Sequence, residues 1–193
     1  PMAFDPVGLV RAFTLWSCPA PATVFAGVRS VRPGEAIRFD ARLRAVASRW
    51  WTIDLGAREQ QPATLDAAAD ELRERLDVAV GLRLQADVPV ATYLSGGLDS
   101  SVISALAARR TDGLHTFSLR FEDPAFDETP AQRRVAALLG TTHHEVLCTD
   151  RVVRDTLPEV VWHCEAPLLR TAPVPMFLLS DLVRRTGIKA VLT

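Results

Sequence analysis

The chain has 193 residues, 48% of them hydrophobic and 23% charged, with a formal net charge of −1. That is the balance of a globular protein with a buried core, as one domain or as a small and a larger one, and the near-neutral charge gives no electrostatic case for a nucleic-acid partner. No apolar run reaches membrane-spanning length, no stretch reads as a signal peptide, and Cys18, Cys148 and Cys164 lack metal-ligand spacing, so they are expected to be reduced thiols of a cytoplasmic protein.

Asp5 followed by Pro6 reads as a helix cap with proline at the first helical position. It opens a helix over 7–15 that Pro19 and Pro21 are expected to end. Val24-Phe25 and residues 28–31 read as short extended runs. Pro33-Gly34 is a turn, and 36–39 with 45–51 form a hairpin across a polar loop. This first α+β unit is too small to bury a good core alone. Residues 52–63 are polar and end in Gln60-Gln61-Pro62, which suggests a linker over 56–63. Thr64 then caps a long amphipathic helix running to about Arg83. Leu65, Leu72, Leu76 and Val80 make one apolar stripe, with a solvated charged face opposite.

From Asp87 strand and helix alternate. Strands are expected at 88–94, 115–120, 144–148 and 188–192, and helices at 99–109, 129–139, 151–163 and 174–186, with Gly140 and Gly187 where helix C-caps belong. Such alternation demands crossover connections and a parallel sheet covered on both faces. Ligands of such sheets bind at the carboxyl ends of the strands.

The first of these strands runs directly into Leu94-Ser95-Gly96-Gly97-Leu98-Asp99-Ser100-Ser101. A strand that turns through paired glycines into a helix start builds an anion site from its own amides, which nominates a nucleotide phosphate. Neither commoner phosphate loop fits: a Walker loop needs Lys followed by Ser or Thr after its last glycine, and a dinucleotide fingerprint needs three spaced glycines. An aspartate inside an anion cradle is costly unless a cation stands between the two. That makes Asp99 a candidate Mg²⁺ ligand bridging to phosphate oxygens. The plainer reading leaves Asp99 as a first-turn carboxylate favouring the helix dipole and Ser95 as an ordinary cap. Three charge-assisted backbone contacts at about 1.5 kcal/mol each amount to about 4–5 kcal/mol, which is millimolar binding. ATP therefore needs adenine contacts as well, and the backbone at Leu119, ending the second strand, is well placed to supply them. Its side chain reads equally as core.

Other chemistry-bearing residues read more plainly. Glu122, Asp123 and Asp127 lie in an acidic loop and are expected to make caps and turns. His143 and His144 are adjacent on a strand, point to opposite faces, and lack a third ligand, so they are structural. His163, Cys164 and Glu165 have nothing to orient them as a nucleophilic group. Arg170, in the proline-broken segment 165–173, can recognise a substrate carboxylate or a phosphate, or be a surface arginine.

Ser95-Gly96-Gly97-Leu98-Asp99-Ser100 after an apolar strand resembles the pyrophosphate loop of the ATP pyrophosphatase group. Leu114–Leu119, Leu139–Glu145, Pro173–Ser180 and Gly187–Thr193 narrow the resemblance to the synthetase domain of glutamine-hydrolysing asparagine synthetases, over essentially all of 62–193. The resemblance implies an α/β, Rossmann-like fold of the adenine-nucleotide alpha-hydrolase kind. Residues 64–193 would be the first part of the ATP-binding domain. Residues 1–55 resemble, more weakly, the end of an N-terminal-nucleophile glutaminase domain. The implied activity is ATP- and Mg²⁺-dependent amide formation: aspartate is adenylated on its side chain, pyrophosphate leaves, and ammonia from glutamine displaces AMP. By the same resemblance Ser95, Gly96, Gly97 and Ser100 cradle pyrophosphate, Asp99 binds Mg²⁺, Leu94 and Leu119 contact adenine, and Arg170 lies near the substrate carboxylate and the adenylate. Pro167 stands where some family members carry threonine, so fine detail in that segment does not transfer. A relative that adenylates another carboxylate, of the β-lactam synthetase or lasso-peptide cyclase kind, and an inactive binding module are the alternatives. The ends at Pro1 and Thr193 read as cut ends of a longer protein, and the parent is expected to be a homodimer. The family's amino-terminal cysteine and glycine-rich acidic segment would lie outside them, so the 193-residue piece is expected to lack turnover.

Overall fold

A computed structural model describes residues 3–55, 62 and 64–193. The chain divides into two units, Pro1–Gln60 with Val161–Leu169, and Gln61–Val160 with Arg170–Thr193. Most of the expected linker, residues 56–61 and 63, lies outside the described residues.

In the first unit, helix α1 (Pro6–Leu15) starts as its sequence predicts. The Asp5 carboxylate accepts from the amides of Val7 at 2.9 Å and Gly8 at 3.2 Å, with proline at the first position. Its end differs from expectation. The helix stops at Trp16, which takes the left-handed conformation (φ 61°), before Pro19 is reached. Of the two expected extended runs, one supplies a single bridge, Phe25 to Phe4, and the other forms no strand. Strands β1 (Glu35–Phe39) and β2 (Ala45–Arg49) pair antiparallel, Glu35 against Arg49 and Phe39 against Ala45. The loop between them is tied by Asp40, whose carboxylate accepts from the amides of Arg42 and Arg44 and from Arg44 Nε. Ala12 and Val24 are the buried apolar side chains among this unit's described residues, as its small size dictates.

In the second unit, α2 (Leu65–Arg83) is capped by the Thr64 hydroxyl, which accepts from Ala67 N at 3.1 Å. Its apolar stripe is buried only at the carboxyl end. Val80 is enclosed and Leu76 half-buried, but Leu72 and Leu65 are exposed, against expectation. The charged face is solvated, with Arg73–Asp70 and Arg75–Glu71 pairs along it.

Four parallel strands follow: β3 (Val90–Tyr93), β4 (His115–Phe121), β5 (Thr142–Cys148) and β6 (Ala190–Leu192), in the order β5-β4-β3-β6. Between them run α3 (Leu98–Ala108), α4 (Thr129–Leu139), and α5 (Asp150–Cys164) with α6 (Pro173–Arg185). β3 begins later than expected because Val88 is exposed and Pro89 has no amide to give the ladder. Gly140 and Gly187 take the left-handed angles (φ 64° and 82°) expected where helices end.

Both faces of the sheet are covered. On one face Ala91 and Phe117 pack with Leu179, Val183 and Ile188 from and beyond α6. On the other, Thr92 meets Ser104 of α3 through a buried hydroxyl pair at 2.9 Å, and α4 lies over β4. The chain winds from β3 outward to β4 and β5, then returns to place β6 on β3's other side. The carboxyl end of β3 is therefore the switch point of the sheet, where the connections part and leave a crevice.

Candidate functional site

The loop leaving β3 sits at that switch point, and its geometry follows from four neighbouring groups. Leu94 is buried. Its amide donates to Phe117 O at 2.9 Å, and its carbonyl accepts from the Ser118 hydroxyl, so the strand end is anchored to β4. The chain then turns at Gly96 with φ +84°. A Cβ there would stand 3.1 Å from Ala131 Cβ and 3.2–3.3 Å from Gln132 N and Cγ. Glycine is required at this position twice over, by its angle and by the approach of α4. Gly97 is different. It is extended (φ −74°, ψ 169°), meets only Ser95 Oγ at 3.3 Å, and serves as N-cap of α3. Of the two glycines Gly96 alone takes a left-handed angle, and the helix cap is Gly97 and not Ser95.

The serines brace the turn from within. Ser95 N donates to Ser100 Oγ at 3.1 Å, the two hydroxyls meet at 2.8 Å, and Ser101 Oγ donates to Gly97 O at 2.6 Å. No side chain caps α3, so its first amides stay without an intrahelical acceptor. That is the donor set an anion takes up, with the helix dipole adding to it. Asp99 is exposed on this first turn and makes no ion pair or hydrogen bond among the described residues. Leu119 packs its side chain on the α6-face cluster, while its carbonyl accepts from Gln132 Nε2.

Sequence reasoning missed Gln132. Its side chain is 3% exposed, and its Nε2 donates to Leu119 O at 3.1 Å and to Ser95 O at 3.4 Å. Its Oε1 has no partner among the described residues, which costs about 1–3 kcal/mol for a buried acceptor. One signal was available. Thr129, Gln132 and Ala136 are the buried positions of α4, so a glutamine stands on the stripe that should be apolar.

The remaining candidates lie on other segments. Arg170 is exposed just ahead of α6, the helix on the opposite face of the sheet from α3. Asp123 and Asp127 make turns. Asp123 accepts from Ala125 N at 2.9 Å, and Asp127 accepts from Thr129 Oγ at 2.5 Å and Phe121 N at 3.3 Å. The Thr129 hydroxyl, with the Phe121 amide and the Arg120 charge, holds the Asp127 carboxyl below its ordinary range. His143 bonds Thr116 Oγ at 2.8 Å and His144 bonds His115 at 2.9 Å, on opposite faces of β5. Cys164 is exposed at the end of α5. Among the described residues, no group of three or more His, Cys, Asp and Glu could hold a metal ion, and no helix is long and apolar enough to cross a membrane.

With that geometry in place, the comparison with known proteins is decisive over most of the chain. The asparagine synthase family model matches residues 71–193. The chain belongs to the asparagine synthase family. Among its relatives, the glutamine-hydrolysing asparagine synthetase B of Escherichia coli is 38% identical over 140 residues, covering 64% of this chain and 25% of that protein. Amidase chyE of Penicillium rubens is 31% identical over 89% of this chain and 28% of its own length. The chain spans between about a quarter and two fifths of the length of the curated relatives it matches. Among solved structures, the NH3-dependent NAD synthetase of Campylobacter jejuni aligns with a TM-score of 0.42 at 17% identity, over 60% of this chain and 52% of that one. The family match includes the whole of β3, the loop and α3.

Proposed function

We propose that this chain is the nucleotide-binding part of a glutamine-dependent asparagine synthetase, a ligase that uses ATP. The observation that carries the reading is the Leu94–Ser101 turn at the sheet's switch point, with uncapped helix amides and the unpaired Asp99 beside them, in a chain of this family. ATP lays its phosphates over Ser95, Gly96, Gly97 and Ser100, and its adenine meets the main chain at Leu94 and Leu119. The side-chain carboxylate of aspartate attacks the α-phosphorus. A carboxylate oxygen–phosphorus bond forms as the bond to the β-phosphate oxygen breaks, and pyrophosphate leaves. Ammonia from glutamine then displaces AMP to give the amide.

The helix amides and loop hydroxyls stabilise the charge that grows on the departing pyrophosphate. Mg²⁺ suits the donor set, because it takes one or two carboxylates and completes its shell with phosphate oxygens and water. Asp99 would hold it, and when bound it would neutralise part of that same charge. Arg170 is assigned to the substrate carboxylate or the adenylate. Residues 1–55 are read as the end of a glutaminase domain, 56–63 as a linker and 64–193 as the start of the synthetase domain, in a cytoplasmic and homodimeric parent with no nucleic-acid or membrane partner.

A second reading, an amide former that adenylates a different carboxylate, draws support from the relatives named amidases at similar identity. Carboxylate-dependent ATP–pyrophosphate exchange by the intact protein separates the two. Aspartate is expected to drive exchange, and Asp99→Asn to lower it by about 100-fold or more, the size of effect seen when one group stabilising transition-state charge is removed. Exchange driven by another acid and not by aspartate would favour the second reading. Undiminished exchange in the variant removes the metal role from Asp99. No exchange with any acid and no nucleotide binding would leave a binding module without activity.

A further inference from the structure

We infer that Gln132 is a positioning residue for nucleotide binding: its carboxamide ties the first residue of the phosphate loop to the end of β4, and so sets the spacing between the phosphate cradle and the adenine-contacting strand end. This rests on the ATP reading above. The two bonds run from one Nε2 to carbonyls on separate segments, Ser95 O at 3.4 Å and Leu119 O at 3.1 Å. Two carbonyls facing the amide fix its orientation, because only the NH2 side can donate. The other half of the carboxamide, Oε1, is then left without a partner in a side chain that is 3% exposed.

A residue kept for packing would not look like this. Leu or Met has comparable volume and would leave no orphaned acceptor. What glutamine alone contributes here is a simultaneous bond to two main-chain carbonyls. Gly96 seals the same contact from the loop side, where Ala131 Cβ and Gln132 N and Cγ stand 3.1–3.3 Å from the position a Cβ would take. The loop is therefore joined to α4 by a hydrogen bond at Ser95 and by direct packing at Gly96. At Leu119 the glutamine uses one of the carbonyl's two lone pairs and leaves the other for a donor such as the exocyclic amine of adenine.

The test is calorimetric titration of the intact protein with ATP and Mg²⁺, alongside its thermal midpoint, for wild type, Gln132→Met and Gln132→Glu. Gln132→Met is expected to weaken ATP binding by about 10-fold, or about 1.4 kcal/mol, with the midpoint unchanged or raised. Gln132→Glu is expected to weaken binding at about pH 8 and to regain it, relative to wild type at the same pH, near pH 5.5, where a buried carboxylic acid recovers an O–H donor. If Gln132→Met binds ATP as wild type does, the tie has no role and the ATP reading stands. If affinity and midpoint fall together and Gln132→Glu shows no recovery with pH, Gln132 is merely structural and the inference fails. Absence of ATP binding by the wild type would overturn the ATP reading itself, and this inference with it.

Discussion

At the scale of single residues, the loop shows how adjacent glycines can have unlike roles. Gly96 has φ +84° and is pressed against α4, whereas Gly97 has an ordinary extended backbone and only a serine hydroxyl nearby. Gly96→Ala is expected to cost about 1–3 kcal/mol, from left-handed strain with the close contact added, and to weaken ATP binding. Gly97→Ala is expected to stay within about 0.5 kcal/mol. Urea unfolding of the two variants decides it, and equal losses would mean that the packing of α4 on Gly96 contributes nothing. The glycine pair, Asp99 and the serines were all legible as a motif, because a strand–turn–helix signal is local. Gln132 was legible only as a polar residue on the apolar stripe of α4, because its role comes from carbonyls 13 and 37 residues away, which the neighbouring sequence does not announce.

At the scale of elements, caps and periodicities predicted the kind and order of every helix and strand in the second unit. Boundaries moved where tertiary contacts or backbone chemistry intervened. α2 is the clearest case. Its stripe from Leu65 to Val80 has one period throughout, yet only the carboxyl-terminal half meets α3, in the cluster of Val80, Leu106, Ala107 and Leu114. The Asp77–Arg110 ion pair, with the Asp77 carboxyl held below its ordinary range by the arginine's hydrogen bonds, ties this same half to the end of α3. Val80→Ala is therefore expected to lower stability by about 1–2 kcal/mol, the size of a buried aliphatic truncation. Leu65→Ala is expected to change it by less than about 0.5 kcal/mol. Equal effects in denaturant titration would show that the whole stripe is packed. In the first unit, α1 ended on a left-handed Trp16 rather than on a proline, a stop that propensity does not mark, since bulky residues seldom take that angle.

At the scale of the whole molecule, the pH response is set by half-buried groups of the sheet. Burial holds His143 and His144 below the ordinary imidazole value of 6.5, with the His115 charge adding to the effect at His144. The unfolded chain then binds more protons than the folded one below pH 6.5. Stability is complete above that value and is lost as pH falls through the folded pKa values. Glu145 acts in the same direction lower down. Hydrogen bonds from Arg133 at 2.7 Å hold its carboxyl below the ordinary 4.5, so its contribution also disappears on acidification. The urea midpoint is expected to be level above pH 7 and to decline below about 6.5, and His144→Phe, which keeps the stacking on Phe117 (4.7 Å), should flatten part of the decline. A midpoint that rises on acidification to pH 5.5 would contradict this. Sequence alone established an alternating α/β chain with a phosphate-type turn after its first sheet strand, because caps, glycines and hydrophobic period act within a few residues of one another. Folding alone decided that β6 returns beside β3 to put that turn at the switch point, that Gly96 rather than Gly97 must lack a side chain, and that Gln132 lies beneath the loop. Each of these depends on groups distant in the chain meeting at a few ångströms, a distance that local pattern does not encode.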